Sequence, residues 1–408
     1  MRRMALVALA LLAPGLARAD DQPPDAAAIS SSIARGVAWL RAQQQADGTF
    51  SQGGEEALGP DMLGPGAVKL GIDALAVLAL VRAGVSTHDP ALRRAVDGLA
   101  LRAAPAVYTE ALVVQALEAA RVTAPAARRR AHDACAYLAG AQLPRGAWGY
   151  GGHVAGVPQI GAPGFYDNSN TQFALLGLRA GHKLGGDPKA EVWHRAGEHL
   201  LAEQALDGVE VEPFDVPAAE ESLTTRARPH PHTHTHSREP AQAPATATRM
   251  KARGWNYAGT ADGATGYLSM TASGVTGLVL VKAHVEGTPW WTKHGAAVDA
   301  GIRDGMAWIH EHRNDPLPGG FTYYSLYSIE RASVVCGVEQ LGGWAWYPVG
   351  SQRLIEDQQA DGAWHGETGG TTVGTCFALL FLTKATPPPG SAPLRQQRVA
   401  TETPKSAR

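Results

Sequence analysis

The fold is decided by a stretch near the C-terminus that the chain repeats, Asp357-Gln358-Gln359-Ala360-Asp361-Gly362-Ala363-Trp364. An almost identical copy lies near the start, Gln43-Gln44-Gln45-Ala46-Asp47-Gly48-Thr49-Phe50. A third copy, Gln142-Leu143-Pro144-Arg145-Gly146-Ala147-Trp148, keeps the frame Gln-x-x-x-Gly-x-aromatic, and Gln204-Ala205-Leu206-Asp207-Gly208 has only its first half. Each copy ends an amphipathic segment and precedes a more apolar one, which predicts a repeated unit of helix, turn and helix.

Each part of the motif has a physical role at the end of a helix. The Gln amide, in the last helical turn, can reach backbone carbonyls that have no partner within the helix. The Gly supplies a positive φ for a tight turn, and the aromatic ring packs over the junction.

Six helix pairs can be counted along the chain. The first member of most pairs is amphipathic, as expected of an outer helix, whereas the second is apolar nearly all round and suits an inner ring. The predicted pairs are 33–45 with 67–83, 91–103 with 108–120, 126–142 with 169–183, 188–204 with 270–284, 295–312 with 323–341, and 349–359 with 371–384.

These repeats resemble those of squalene and hopene cyclases and of the protein prenyltransferase β subunits. The resemblance covers residues 29–384 and implies an all-α fold, the α/α toroid or α6/α6 barrel, in which an outer ring of helices encloses an inner one. It also implies a central cavity that accepts an apolar ligand such as an isoprenoid.

Two departures from these families concern their chemistry. The cyclases protonate an alkene with an Asp-x-Asp-Asp motif, which this sequence lacks. The prenyltransferases bind zinc partly through Asp-x-Cys on an inner helix, and the match here, Asp133-Ala134-Cys135, falls on a predicted outer helix. We therefore expect neither a cofactor nor a zinc site.

The chain divides into a leader, one domain and a tail. Residues 1–19 have the basic start, apolar core and small residues of a secretory signal peptide, so we expect an exported protein, periplasmic in a bacterium or secreted. Residues 20–386 form the toroid domain, and the Pro-rich residues 387–408 should be a disordered tail. No later stretch has the ~18 uninterrupted apolar residues of a membrane span.

A low-complexity insertion at 209–253 divides the fourth motif. Gly254-Trp255-Asn256-Tyr257 matches the missing second half, so we expect the two halves to meet in space. The insertion is rich in Pro, Ala and Thr and should be unstructured. Its alternating histidines are weak candidates for binding Zn, Cu or Ni, and a solvated linker is the preferred interpretation: His230, His232, His234 and His236.

Polar residues begin several of the predicted inner helices, most clearly Asp167, Asn168, Asn170 and Gln172. The simpler interpretation is helix capping, and the alternative is a polar mouth above an apolar cavity that contacts a ligand. Asp167 is a candidate catalytic acid, but its capping position should favour the ionised form and make it a poor donor to an alkene.

The fifth inner helix carries unexpected charges. Tyr323, Tyr327 and Glu330 share one helical face, and Arg331 lies four residues after Tyr327. These residues form either a buried network that ties helices together or a ligand-contacting cluster with Glu330 as a candidate acid. Trp255 and Tyr257 are further ligand-contact candidates.

The composition excludes some classes of function but does not identify one. A formal net charge of −2 gives no electrostatic basis for binding nucleic acid or acidic membranes. Three hypotheses remain: a protein that binds an apolar, isoprenoid-like ligand in its cavity, which we favour; a divergent terpenoid cyclase or prenyltransferase-like enzyme; and a non-catalytic scaffold for an unknown protein partner.

Overall fold

The computed structural model describes residues 24–51, 63, 66–150, 164–223, 249–259 and 266–386. The predicted signal peptide, the tail and the four alternating histidines His230, His232, His234 and His236 lie outside these residues.

Helices make up most of the described chain, with one short β-ribbon. In chain order the elements are α1 (Ala26–Ala42), α2 (Ala67–Arg82), α3 (Pro90–Leu101), α4 (Val107–Ala119), α5 (Pro125–Gly140), α6 (Asn168–Lys183), α7 (Ala190–Glu203), β1 (Glu210–Val211), α8 (Pro217–Glu220), β2 (Met250–Lys251), α9 (Leu268–Val285), α10 (Pro289–Glu311), α11 (Thr322–Cys336), α12 (Trp346–Asp357) and α13 (Thr371–Leu382).

Six helices form a closed inner ring. Each of α2, α4, α6, α9, α11 and α13 packs against the next, and α13 returns to α2. The outer helices α1, α3, α5, α7, α10 and α12 pack around this ring. The predicted all-α toroid of six helix pairs is therefore confirmed.

The inner and outer helices differ in how many of their residues are buried, as the hydrophobic pattern predicted. In α2 every residue from 70 to 81 is buried, whereas α3 buries only Leu92, Ala95 and Leu99, which lie along one stripe. A helix that is apolar all round is stable only where it is covered on all sides. The inner helix α9 has the length and hydropathy of a membrane span, but 89% of it is buried inside the protein.

The repeated motif joins neighbouring outer helices. The Nε2 of each motif Gln donates to a carbonyl within its own turn and to a carbonyl of the next outer helix, at 2.8–3.2 Å. Gln142, for example, binds the carbonyls of Gly146 and Val192. The amide reaches free carbonyls as expected, and the second bond connects one repeat to the next. We call these turns the outer joints.

In the joints that carry a tryptophan, the aromatic residue is fixed at both of its N–H groups. The indole N–H of Trp148 donates to the carbonyl of Leu138 at 2.7 Å, and its backbone N–H donates to Thr171 Oγ1 at 3.1 Å. Trp364 makes the corresponding bonds to Leu354 and Thr375. The joint therefore ties an outer helix to the start of the inner helix that follows.

The motif glycines adopt a left-handed backbone conformation that other residues rarely adopt. Gly48, Gly146 and Gly362 all have φ between 90° and 96°. A Cβ at Gly146 would lie 2.0 Å from the carbonyl oxygen of Arg195, so the next outer helix passes too close for any side chain.

The divided fourth joint is closed again in space. Gln204 Nε2 donates to the carbonyls of Arg253 and Gly301, both at 3.0 Å, so Arg253 takes the part that Gly146 plays in the third joint. Trp255 is fully buried and donates to the Leu200 carbonyl and Thr271 Oγ1. The prediction that the two halves meet is confirmed.

The flanks of the insertion differ from the expectation. β1 pairs with β2 in an antiparallel ribbon, and α8 packs against α10 and α11. Six of the flanking residues are buried: Val216, Ala218, Ala219, Leu223, Met250 and Ala252. The expectation of an unstructured insertion is wrong for these flanks. Their apolar residues follow no periodic pattern in the sequence, but they are buried against the helices of the toroid. Residues 224–248 lie outside the described chain.

Candidate functional site

Aromatic side chains from four inner helices meet in the middle of the ring. Tyr108 of α4 lies against Phe173 of α6, with ring centroids 4.6 Å apart, and Phe173 stacks on Tyr324 of α11 at 6.4 Å. Phe377 of α13 contacts Tyr324 at 5.5 Å and Tyr327 at 5.7 Å. We call these five residues the central cluster.

Arg331 lies inside the central cluster. Its guanidinium carbon is 4.2 Å from the ring centroid of Tyr327 and 5.0 Å from that of Phe173. Its Nη2 donates to Gln172 Oε1 at 2.7 Å and to Ser328 Oγ at 3.1 Å. The side chain is 0% exposed. Residues 324, 327 and 331 share the face of α11 that meets the centre, and two of them were predicted site residues.

A polar group lies at the N-terminal end of α6. Asp167 is 0% exposed and caps this helix, accepting from the backbone N–H of Asn170 at 2.6 Å and from its Nδ2 at 2.7 Å. The capping interpretation is confirmed here. Asn168 joins the same region to the loop that carries Tyr257, since its N–H donates to the Tyr257 carbonyl and its Nδ2 to the Asn256 carbonyl.

The ionisation expected of Asp167 is wrong. Burial raises the pKa of this carboxyl to about 7, and the hydrogen bonds from Asn170 oppose the shift only in part. Because removal from water disfavours the charged form, the group is partly neutral near neutral pH. The sequence showed the capping position but not the depth of burial.

Three tyrosines surround this carboxyl at the edge of the central cluster. The hydroxyls of Tyr150 and Tyr257 are 2.7 Å apart, and the Tyr150 ring stacks on Tyr108 at 6.0 Å. Burial, together with the nearby Asp167, raises the pKa of all three phenols, so they stay neutral and are able to donate hydrogen bonds. All three side chains keep part of their surface exposed.

Glu330 does not face the centre. Both of its carboxyl oxygens accept from Thr386, Oε1 from the backbone N–H at 3.1 Å and Oε2 from the hydroxyl at 2.8 Å. Burial raises its pKa to about 7. Glu330 therefore fastens the chain after α13 to the ring, and the buried-network interpretation fits it better than catalysis.

Tyr323 also lies away from the central cluster. It borders a polar cleft of about 320 Å³ at the start of α11, together with residues of α12 such as Arg353 and Asp357. Its backbone N–H and that of Tyr324 donate to Glu367, whose pKa burial raises to about 8. Glu367 thus caps α11 from a loop.

The opposite end of the ring is narrow. A cavity of about 30 Å³, enough for one or two water molecules, is bordered by Tyr327, Leu380 and Thr386. Beside it, Glu118 pairs with Arg82 at 3.2 Å and with Lys183 at 3.5 Å. A ligand of the size of an isoprenoid does not fit at this end.

Trp255 does not belong to the site. It fills the space between α9 and α10, where a Cβ at Gly274 or Gly305 would overlap its ring. Its two N–H groups already serve the fourth joint, so we remove it from the ligand-contact candidates. Among the described residues, no group of three His, Cys, Asp or Glu side chains is placed to hold a metal ion. Cys135 lies on the outer helix α5, as predicted.

Several site residues were missed in the sequence: Tyr108, Tyr150, Phe173, Tyr324, Glu367 and Phe377. An aromatic residue in an apolar helix is normally part of the core, so its type alone gave no signal. Tyr150 could have been found, because, like the predicted Tyr257, it stands two residues after the aromatic residue of a joint.

Comparison with known proteins supports the fold. No protein-family model and no curated protein sequence matches the chain at a significant level. Among solved structures, the type II terpene cyclase MstE from Scytonema is similar, with a TM-score of 0.50 and 15% identity over 89% of this chain and 99% of that chain. An arginine-to-alanine variant of that cyclase, in complex with its substrate geranylgeranyl dihydroxybenzoate, gives a TM-score of 0.50 and 14% identity over 88% and 97%. At this identity the likeness shows the α/α toroid fold.

Proposed function

We propose that this protein is an exported toroid that binds an isoprenoid-like ligand, an apolar chain with a polar end, in the centre of its inner ring. One observation carries the proposal, namely the meeting of aromatic rings from α4, α6, α11 and α13 in the central cluster. Binding pockets for apolar molecules are typically lined by aromatic side chains with a few polar groups that fix orientation.

The site fits a ligand with two chemically different ends. Phe173 and Phe377 offer apolar surface in the centre, whereas Tyr150 and Tyr257 offer neutral hydroxyls at the partly exposed edge. Because the phenols are not ionised, they donate hydrogen bonds without repelling an electron-rich chain. The fold of MstE, which was solved with a geranylgeranyl substrate, supports the same ligand class.

Asp167 favours terpenoid cyclisation as a second candidate function, because it is buried and partly protonated near neutral pH. Protonation of an alkene needs a strong acid held in its neutral form. A carboxyl group with a pKa of about 7 is a weak acid, and Asn170 donates to both of its oxygens. Binding without turnover is therefore the better-supported function.

Equilibrium binding of geranylgeraniol to the mature protein tests the proposal. We expect saturable binding that Tyr108→Ala weakens by about 10-fold or more, since an aromatic side chain supplies a large contact area. Leu101→Ala is the control, because this apolar side chain is 82% exposed at the end of the outer helix α3. Absence of saturable binding would favour the scaffold hypothesis, and equal losses in the two variants would place the ligand outside the ring. Product analysis of the same mixtures reports on cyclisation, which should be absent.

A further inference from the structure

The centre of the ring contains a buried cation that forms no salt bridge with any of the described residues. Arg331 is 0% exposed, and both acceptors of its Nη2, Gln172 Oε1 and Ser328 Oγ, are neutral. Its Nε and Nη1 have no hydrogen-bond partner. Glu330, the adjacent carboxyl, is turned to Thr386 and is held there by two hydrogen bonds.

The aromatic rings compensate for this burial only in part. The guanidinium carbon lies 4.2 Å, 5.0 Å and 6.0 Å from the ring centroids of Tyr327, Phe173 and Tyr324. Cation–π contacts are weak beside the loss of hydration that a buried charge suffers when it is not paired. Among the described residues no carboxylate contacts the guanidinium, and Glu330 acts on it only at longer range.

Further unpaired donors lie around the same guanidinium. Gln172 accepts a hydrogen bond from Arg331 through its Oε1. Its Nε2 donor has no partner, and the residue is only 1% exposed, so water does not solvate this group freely. The hydroxyl of Tyr324 also has no partner, and its ring is one of the three beside Arg331. Buried polar groups in folded proteins are nearly always paired, so several unpaired donors around one cation indicate an acceptor that binds there.

We propose that Arg331 binds the carboxylate of the ligand, with Gln172 and Tyr324 as additional donors. The ligand class is then a carboxylic acid with an apolar, isoprenoid-like chain, an inference that rests on the proposed function. A single guanidinium balances the single charge of a carboxylate, whereas a diphosphate would bring more negative charge than this site offers.

A series of three ligands with the same chain tests the head group. Geranylgeranoic acid, geranylgeraniol and geranylgeranyl diphosphate are titrated into the mature protein. We expect the acid to bind about 10-fold more tightly than the alcohol, and Arg331→Met to bring this ratio close to one. Equal affinities of acid and alcohol in the unchanged protein, or tightest binding of the diphosphate, would overturn the proposal. Failure of all three to bind would instead refute the proposed function itself.

A second variant, Gln172→Glu, introduces a negative charge beside Arg331. It tests the proposal even if Arg331→Met does not fold. Gln172→Glu places a carboxylate at the guanidinium, so the free protein should melt at a higher temperature and should lose its preference for the acid. Gln359→Glu is the matched control on an exposed side chain and should change neither quantity. A lower melting temperature together with an unchanged preference for the acid would contradict the assignment of Arg331.

Discussion

The buried polar groups of the outer joints have hydrogen-bond partners, whereas several of those in the centre of the ring do not. In the joints, the amide nitrogen of Gln142 or Gln358 has two carbonyl acceptors, and each indole N–H has one. In the centre, Arg331 and Gln172 keep donors without a partner. Satisfied polar groups stabilise a fold, whereas unsatisfied ones are costly and persist where something else requires them. The comparison assigns a stabilising role to the joints, and it supports the ligand binding that we propose for the centre.

The largest effect should come from removing the aromatic residue of a joint. Trp364→Ala and Trp255→Ala each empty a fully buried site, so we expect each to lower the free energy of unfolding by about 3–5 kcal/mol. Equal losses would show that the divided joint is as strong as an intact one. Urea denaturation measures both.

Trp39→Ala serves as the control for these two variants, because Trp39 is only partly buried on the outer helix α1. Its loss should be clearly smaller. If Trp255→Ala were no worse than this control, the fourth joint would not contribute to stability, and joints interrupted by an insertion would differ from intact ones.

A smaller loss should follow when a joint loses its amide. Gln358→Leu keeps the approximate size of the side chain but leaves the carbonyls of Ser32 and Gly362 without this donor, at a cost of about 2 kcal/mol. Gln115→Leu is the control, since the Gln115 amide donates only to Ala111 of its own helix. Calorimetric melting compares the two, and equal losses would contradict the role of the motif Gln in joining outer helices.

The smallest effect concerns the dependence of stability on pH. Burial raises the pKa of Glu367 to about 8 in the folded protein, above its ordinary value in an unfolded chain, so the folded state binds more protons. Stability from this group is complete below about pH 4 and declines as the pH rises through 8. Between pH 7 and pH 8 its contribution should fall by about 1 kcal/mol.

Glu367→Gln should remove this part of the decline, because the amide does not titrate. The comparison is made by urea denaturation of both proteins at pH 7 and pH 8. An identical decline in the two proteins would show that Glu367 is ionised throughout this range.

The architecture could be predicted from the sequence because it is repeated. Four copies of one motif at the ends of amphipathic segments fixed the six helix pairs, and Trp255 was recognised as the displaced half of the fourth. The flanks of the insertion were not predicted, since α8 has four residues and no hydrophobic period.

The site was predictable only where a residue type was unusual for its place. Arg331 was found because a charge is unexpected in an apolar helix, and Gln172 because it belongs to the polar start of a predicted inner helix. Phe173 and Phe377 were missed because aromatic residues are ordinary in such helices, and only the assembled ring brings them together. The protonation of Asp167 depends on a depth of burial that no local pattern encodes.

The most direct test of the central claim is to locate the ligand. A geranylgeraniol analogue that carries a photoreactive diazirine is bound to the mature protein, irradiated, and mapped by peptide mass spectrometry. The account predicts adducts in peptides of α4, α6 and α11 that contain Tyr108, Phe173 and Tyr324, and their loss when unlabelled geranylgeraniol is added in excess. Adducts confined to the outer helices, or adducts that the unlabelled alcohol does not reduce, would contradict it.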